Sequence, residues 1–265
     1  MYTLMKADVL AQLAGLQQEI SQLHDNAQQN QSHFVLLERR FSRLQSFNDE
    51  PQLQDYRLQL EHDDAVVKQI AQLRQVANAA LCDYEKHQVC ALCSPSSKTD
   101  DYLTSFNQSL QQEIKLAGMQ MGEKVLLVGS GALPTTALVL VAKLGATVFC
   151  YDHDPAAQQL ARQLVQSLGL EKQVQFIDNL KELTDRPVDH IIVASLVADK
   201  QALLAQLVPY VTRSSKLVMR YGNGLKSIFN CPYCHEANCS HWRTASKPVT
   251  TGLYDLIILE PNHHA

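Results

Sequence analysis

No window of the 265-residue chain is long and apolar enough to span a bilayer, which argues against an integral helical membrane protein. The opening residues, MYTLMKADVL, lack a basic run followed by an apolar core and a small-residue cleavage site. No secretory leader is read there, and a cytoplasmic location is expected. An excess of positive charge is missing too: the formal net charge is −4, which gives no reason to expect a nucleic-acid partner. The polar faces of the helical segments are not basic, so no membrane partner is expected either. Cysteine, by contrast, is abundant at seven residues. A reducing compartment argues against structural disulfides.

Two grammars divide the chain. In the first part Val9, Leu13, Leu16, Ile20 and Leu23 recur at helical steps, as do Phe34, Leu37, Phe41 and Leu44. A third stripe runs through Val66, Val67, Ile70, Leu73 and Val76 toward Leu81. Asp49-Glu50-Pro51 breaks the chain between the second and third. From about Gly122, short apolar runs alternate with helical patterns: Val125–Val128, Thr147–Tyr151, Val174–Ile177, His190–Ala194 and Lys216–Met219. That alternation predicts a parallel sheet covered by helices, with 253–259 closing it. The expected fold class is α/β. A helical cap domain over residues 1–118 precedes a Rossmann-like domain over 119–265, which carries a Cys-rich segment at 231–242.

The first strand runs into Gly129-Ser130-Gly131, and the turn opens a helix. Two glycines let backbone approach a ligand closely, and the helix start offers unpaired N–H groups. Asp152 ends the second strand, where a carboxylate can accept from a ribose diol. Asp178 ends the third, where it can take the exocyclic amine of adenine. Each could instead cap a helix; together the three strand ends read as an adenosine site. The third glycine of a dinucleotide loop is absent, its place taken by Pro134. No Walker lysine follows, which argues against a nucleoside triphosphate. S-Adenosylmethionine, which has no phosphates, fits best.

The segment KVLLVGSGALPTTALVLVAKLGATVFCYDHDPAA resembles the nicotianamine synthases and their bacterial relatives, the opine-metallophore synthases of the staphylopine and pseudopaline type. Their pattern is G-S-G-P-L-P-x-T-A after the first strand and D-x-D after the second. Here Ala132 replaces a proline, while Leu133, Pro134, Thr136 and Ala137 are kept, and Asp152-His153-Asp154 supplies the D-x-D. CDYEKHQV is similar to the family's helical-domain segment and places Glu85 and His87. DYLTSFNQSLQQEIKL places Tyr102, with Phe106 where a tyrosine is common. ASLVADK resembles the A-L-V-x-x-D-K that follows the fourth strand, one residue shorter. RYGNGLKSIFNCP matches Arg220, with Lys226 near the second basic position.

The resemblance implies an enzyme that does not transfer the methyl group of S-adenosylmethionine. An amine attacks the γ-carbon of the methionine chain, the aminocarboxypropyl group moves, and methylthioadenosine leaves. Gly129, Ser130, Gly131, Leu133, Pro134, Asp152 and Asp178 would then hold S-adenosylmethionine. An attacking amine must be neutral, and the resemblance points to Glu85 as base, with Tyr102 orienting the acceptor. His87 and Arg220 fall to substrate binding, Arg220 as a grip on a carboxylate. Histidine is the favoured acceptor, and an opine dehydrogenase the functional partner that reductively joins an α-keto acid. A homodimer is left open. The rival readings are a small-molecule methyltransferase using the same site and a non-catalytic zinc-binding interaction protein.

CPYCHEANCSHW is not placed by the resemblance. Cys231, Cys234, Cys239 and His241, with His235 spare, could hold a structural zinc through three thiolates and one imidazole. Joining Cys90 and Cys93 to Cys231 and Cys234 is a second arrangement, and reduced thiols in a loop a third.

Overall fold

The computed structural model describes residues 2–93, 107–234, 241–251 and 253–262. The chain divides into two compact units, Met1–His87 with Tyr221–Pro232, and Gln88–Arg220 with Tyr233–Ala265. The first unit is therefore discontinuous in sequence.

In the first unit, α1 (Tyr2–Gln29) and α2 (His33–Phe47) turn the stripes read from the sequence inward. Val9, Leu13, Leu16 and Ile20 are buried, as are Phe34, Leu37, Phe41 and Leu44. Pro51 stops the chain as expected and then starts α3 (Pro51–Gln54), with extended Glu50 as its N-cap; proline tolerates a first helical turn, where its missing N–H costs nothing. After α4 (Arg57–Glu61), the long α5 (Asp64–Leu92) buries Val66, Ile70 and Leu73 and turns Val67 outward. Leu225 and Ile228, distant in sequence, complete this core. Their segment is held by two side chains of the same unit. Glu61 Oε1 accepts from the Leu225 N–H at 3.2 Å, and Arg74 Nη1 donates to the Ser227 carbonyl at 2.6 Å.

The second unit contains α6 (Asn107–Ala117) and a mixed sheet. Its strands are β1 (Lys124–Val128), β2 (Thr147–Tyr151), β3 (Val174–Phe176), β4 (Val188–Val193), β5 (Val211–Tyr221), β6 (Trp242–Thr244), β7 (Val249–Thr250) and β8 (Asp255–Pro261). The order is β3-β2-β1-β4-β5-β8-β6, with β7 on β8. Pairings from β3 through β5 are parallel, and β6 and β7 run antiparallel to β8. Helices α7 (Thr135–Leu144), α8 (Pro155–Ser167) and α9 (Lys200–Leu207) supply the crossovers. The strand expected to close the sheet does not form its edge: β8 inserts between β5 and β6. The edge strand carries Trp242, whose indole N–H donates to the Leu204 carbonyl at 2.9 Å. The first five strands are thus those of a Rossmann-like parallel sheet, as expected. No helix among the described residues is long and apolar enough to cross a membrane.

Candidate active site

The sheet order reverses between β1 and β4, and in open α/β sheets the crevice outside such a switch point takes the ligand. The glycine loop lies there. Gly129 has φ +79° and Gly131 φ +66°, a region costly to side-chain-bearing residues. The Gly129 and Ser130 N–H groups both donate to the Tyr151 carbonyl, at 2.8 and 3.3 Å. The Gly131 N–H donates to Asp152 Oδ2 at 2.8 Å, and the Asp154 N–H to Asp152 Oδ1 at 3.0 Å. The loop is thereby tied to the end of β2. Asp152 Oδ2 keeps a lone pair for a ligand hydroxyl, while Oδ1 also lies 3.4 Å from His153 Nδ1.

Leu133 and Pro134 are buried. Pro134 is the N-cap of α7, with no capping side chain. A proline there stiffens the approach to the helix without removing one of its own hydrogen bonds. Ser130 Oγ is buried with no hydrogen-bond partner among the described residues, an orphan that a bound polar group would satisfy. No basic side chain stands between Gly129 and Thr136. The Gly129, Ser130 and Gly131 N–H groups are already engaged by Tyr151 and Asp152, so these three offer no open cradle to a pyrophosphate.

The second acid of the D-x-D is structural: Asp154 caps α8, accepting from the Ala156 and Ala157 N–H groups. Asp178 stands exposed beyond β3 and pairs with Arg162 Nη2 at 2.7 Å. Sequence reading missed the two α8 residues that hold these strand ends. Gln158 Nε2 donates to the Asp152 carbonyl at 2.8 Å and to the Ile177 carbonyl at 3.3 Å. Arg162, one turn on, donates from Nη1 to the Phe176 carbonyl at 3.1 Å and lies over the Phe176 ring. The i, i+4 spacing places both on one helix face, and a Q-x-x-x-R pattern after the D-x-D is the sequence signal that could have shown them.

Arg220, expected to grip a substrate carboxylate, is buried against an internal one. Its Nε and Nη2 donate to Glu113 Oε2 of α6 at 3.0 and 2.8 Å, and Nη1 donates to Thr136 Oγ1 of α7 at 3.1 Å. Tyr254 Oη donates to the other Glu113 oxygen, and its ring lies under the guanidinium. Burial opposes the Arg220 charge, but the Glu113 carboxylate more than offsets it and raises the pKa. Burial, with Glu113 adding to it and Arg220 opposing, pushes the Tyr254 hydroxyl upward, so it stays protonated and donates. Glu113 and Tyr254 were not singled out from the sequence.

Glu85 and His87 lie on α5 in the helical unit, both half-buried. The His87 ring stacks on Phe34 at 4.5 Å and 15°. Tyr102 and Cys239 lie outside the described residues. Cys231 is buried, while Cys234 and His241 are exposed. Among the described residues no three His, Cys, Asp or Glu side chains come together as a metal site.

Residues 3–246 match the model of a family described as nicotianamine synthase protein. An L-histidine 2-aminobutanoyltransferase of Pseudomonas aeruginosa is 34% identical over 258 residues, which cover 96% of this chain and 97% of that one. Its counterpart in a second strain is 33% identical over the same length. Among solved structures, MtNAS in complex with MTA and tNA superposes with a TM-score of 0.75 at 15% identity, covering 92% of this chain and 97% of that one. A variant of MtNAS in complex with S-adenosylmethionine gives 0.73 at 17%, with the same coverage. At those identities the likeness to the solved structures is one of fold. With nearly its whole length matched, the chain belongs to the nicotianamine synthase family.

Proposed function

We propose that this enzyme transfers the aminocarboxypropyl group of S-adenosylmethionine to the amine of histidine and releases methylthioadenosine. The observation that carries the reading is the 34% identity, over nearly all of both chains, to an enzyme named for aminobutanoyl transfer to L-histidine. The intact glycine loop and its acids support it.

In this reading Gly129, Ser130, Gly131, Leu133 and Pro134 form the bed of the adenosine, Asp152 accepts from the ribose hydroxyls and Asp178 from the adenine amine. S-Adenosylmethionine supplies a sulfonium whose γ-carbon accepts the amine lone pair as the carbon–sulfur bond breaks. Glu85 takes the proton that the amine sheds, and Tyr102 orients the acceptor. His87 and Arg220 bind substrate. Arg220, whose Nε and Nη2 already hold Glu113, keeps one N–H each on Nη1 and Nη2 for that role. Placing the amine in line with one of three activated carbons sets the outcome. A cap over residues 1–118 serves that placement, and residues 119–265 bind the adenosine.

The product goes to an opine dehydrogenase, which joins an α-keto acid reductively. A cytoplasmic location and a homodimer complete the reading. A structural zinc on Cys231, Cys234, Cys239 and His241 is a separate part of it; elemental analysis finding one equivalent supports the zinc, and none removes it.

The test is mass spectrometry of the purified protein with S-adenosylmethionine and a panel of amino acids that includes L- and D-histidine. Methylthioadenosine with an acceptor heavier by an aminobutyrate unit is expected. S-Adenosylhomocysteine with a methylated acceptor overturns the reading.

A further inference from the structure

The family resemblance gives no role to the lysine of ASLVADK. Lys200 opens α9, yet it is only 2% exposed. Its Nζ donates back to the carbonyls of Ser195, at 3.0 Å, and Val197, at 2.5 Å. An ammonium taken out of water is costly unless its donors are met, and here carbonyl oxygens of the turn after β4 meet them. The turn is thereby closed on the lysine. Its start is fixed by the Ala194 N–H, which donates to the Val128 carbonyl at 2.9 Å, and its middle by the Val197 N–H on Ala194 at 3.2 Å. Asp199 caps the helix behind it, accepting from the Ala202 N–H at 3.0 Å.

That turn is one wall of the switch-point crevice. It presses on the first glycine of the loop: a Cβ built on Gly129 would stand 2.6 Å from Val197 Cγ2 and 3.1 Å from Ala194 Cβ. Gly129 is thus flanked by side chains that leave no slack. The backbone that meets the ligand keeps its course because Val197 backs it, and Val197 keeps its place because Lys200 holds its carbonyl.

We infer that Lys200 is a positioning residue for S-adenosylmethionine. Its buried ammonium sets the 194–199 turn, and through Val197 the turn sets the glycine loop. The inference rests on the proposed function for the identity of the ligand, and on the structure alone for the lysine–turn–loop linkage.

The experiment is calorimetric titration of S-adenosylmethionine into wild type, Lys200→Met and Val197→Ala, with steady-state kinetics for both substrates and amide hydrogen exchange across residues 194–199. Methionine keeps the volume but cannot bridge carbonyls. Lys200→Met is expected to weaken S-adenosylmethionine roughly tenfold or more, to speed exchange in the turn, and to leave the KM for the acceptor little changed. A scaffold role alone would lower the melting temperature without that split. Folded Lys200→Met that binds S-adenosylmethionine as wild type does overturns the inference. Should Lys200→Met not fold, Val197→Ala decides, because it loosens the wall without touching the charge; unchanged affinity there overturns it equally. A wild-type chain that binds no S-adenosylmethionine removes the functional reading. Exchange in Lys200→Met, or in Val197→Ala if needed, then still tests the linkage, and unaltered exchange refutes it.

Discussion

Arg220 and Glu113, 107 residues apart in sequence, form a buried ion pair in which two guanidinium nitrogens share one carboxylate oxygen. The pair joins α6 to β5, and through Thr136 it reaches the helix that follows the glycine loop. Removing one member leaves the other charged and unpaired in the interior. Arg220→Met or Glu113→Leu should each cost about 3–5 kcal/mol in denaturant unfolding. The double variant should lose less than either single one, since no orphan charge remains.

Gly129→Ala asks for a methyl where Val197 already stands, on a residue at φ +79°. The left-handed backbone alone costs about 1–2 kcal/mol, and the loop must shift to admit the new carbon. Circular dichroism should show a folded protein, and titration with S-adenosylmethionine a loss of affinity of tenfold or more.

Arg162 pairs with Asp178 at the surface, where such a bridge adds at most about 1 kcal/mol. Arg162→Met should therefore leave chemical stability nearly unchanged. It should still raise the KM for S-adenosylmethionine several-fold, because the end of β3 loses the donor to the Phe176 carbonyl and Asp178 loses its partner. Equal KM values in the two proteins would separate Asp178 from adenine binding.

Gly224 sits at φ +58°, and a Cβ there would fall 2.2 Å from Glu61 Oε1. Gly224→Ala must displace the carboxylate from the Leu225 N–H and from Arg57, at a cost of about 2 kcal/mol or more. In a Glu61→Ala background only the backbone strain is left, so a double-mutant cycle should show a smaller penalty.

His190 is buried on β4, with Nε2 at 3.0 Å from Glu123 Oε2. Burial holds its pKa below the usual imidazole value, against the pull of Glu123. As pH falls the unfolded chain takes up the proton first. The stability His190 contributes is thus complete above about pH 6.5 and declines as pH falls toward the folded-state pKa. His190→Gln cannot titrate, and its melting temperature should vary less than that of wild type between about pH 7.5 and 5.5.

The strand pattern was legible where each strand is apolar and ends on a polar residue, as in β2, read to its ends at Thr147–Tyr151. β5 runs from Val211, beyond the expected Lys216–Met219, because its first half is polar and exposed. β6 has three residues and no periodicity to read. In the site, the loop and its acids announced themselves by chain position. Glu113 did not: in SLQQEIKL it resembles a solvated helix glutamate, yet it is fully buried. Only the fold, by bringing β5 and β8 to α6, gives that carboxylate its partners.

The insertion of β8 between β5 and β6 has a consequence for how the protein is made. A ribosome delivers β1 through β5 in order, and those strands can pair as they emerge. β5 then waits with one open edge while some thirty further residues are synthesised. Only when residues 255–261 leave the exit tunnel can that edge be covered and β6 gain its neighbour. Vectorial synthesis thus leaves a nascent chain with a sticky border until β8 arrives, an interval in which that edge is open to wrong partners.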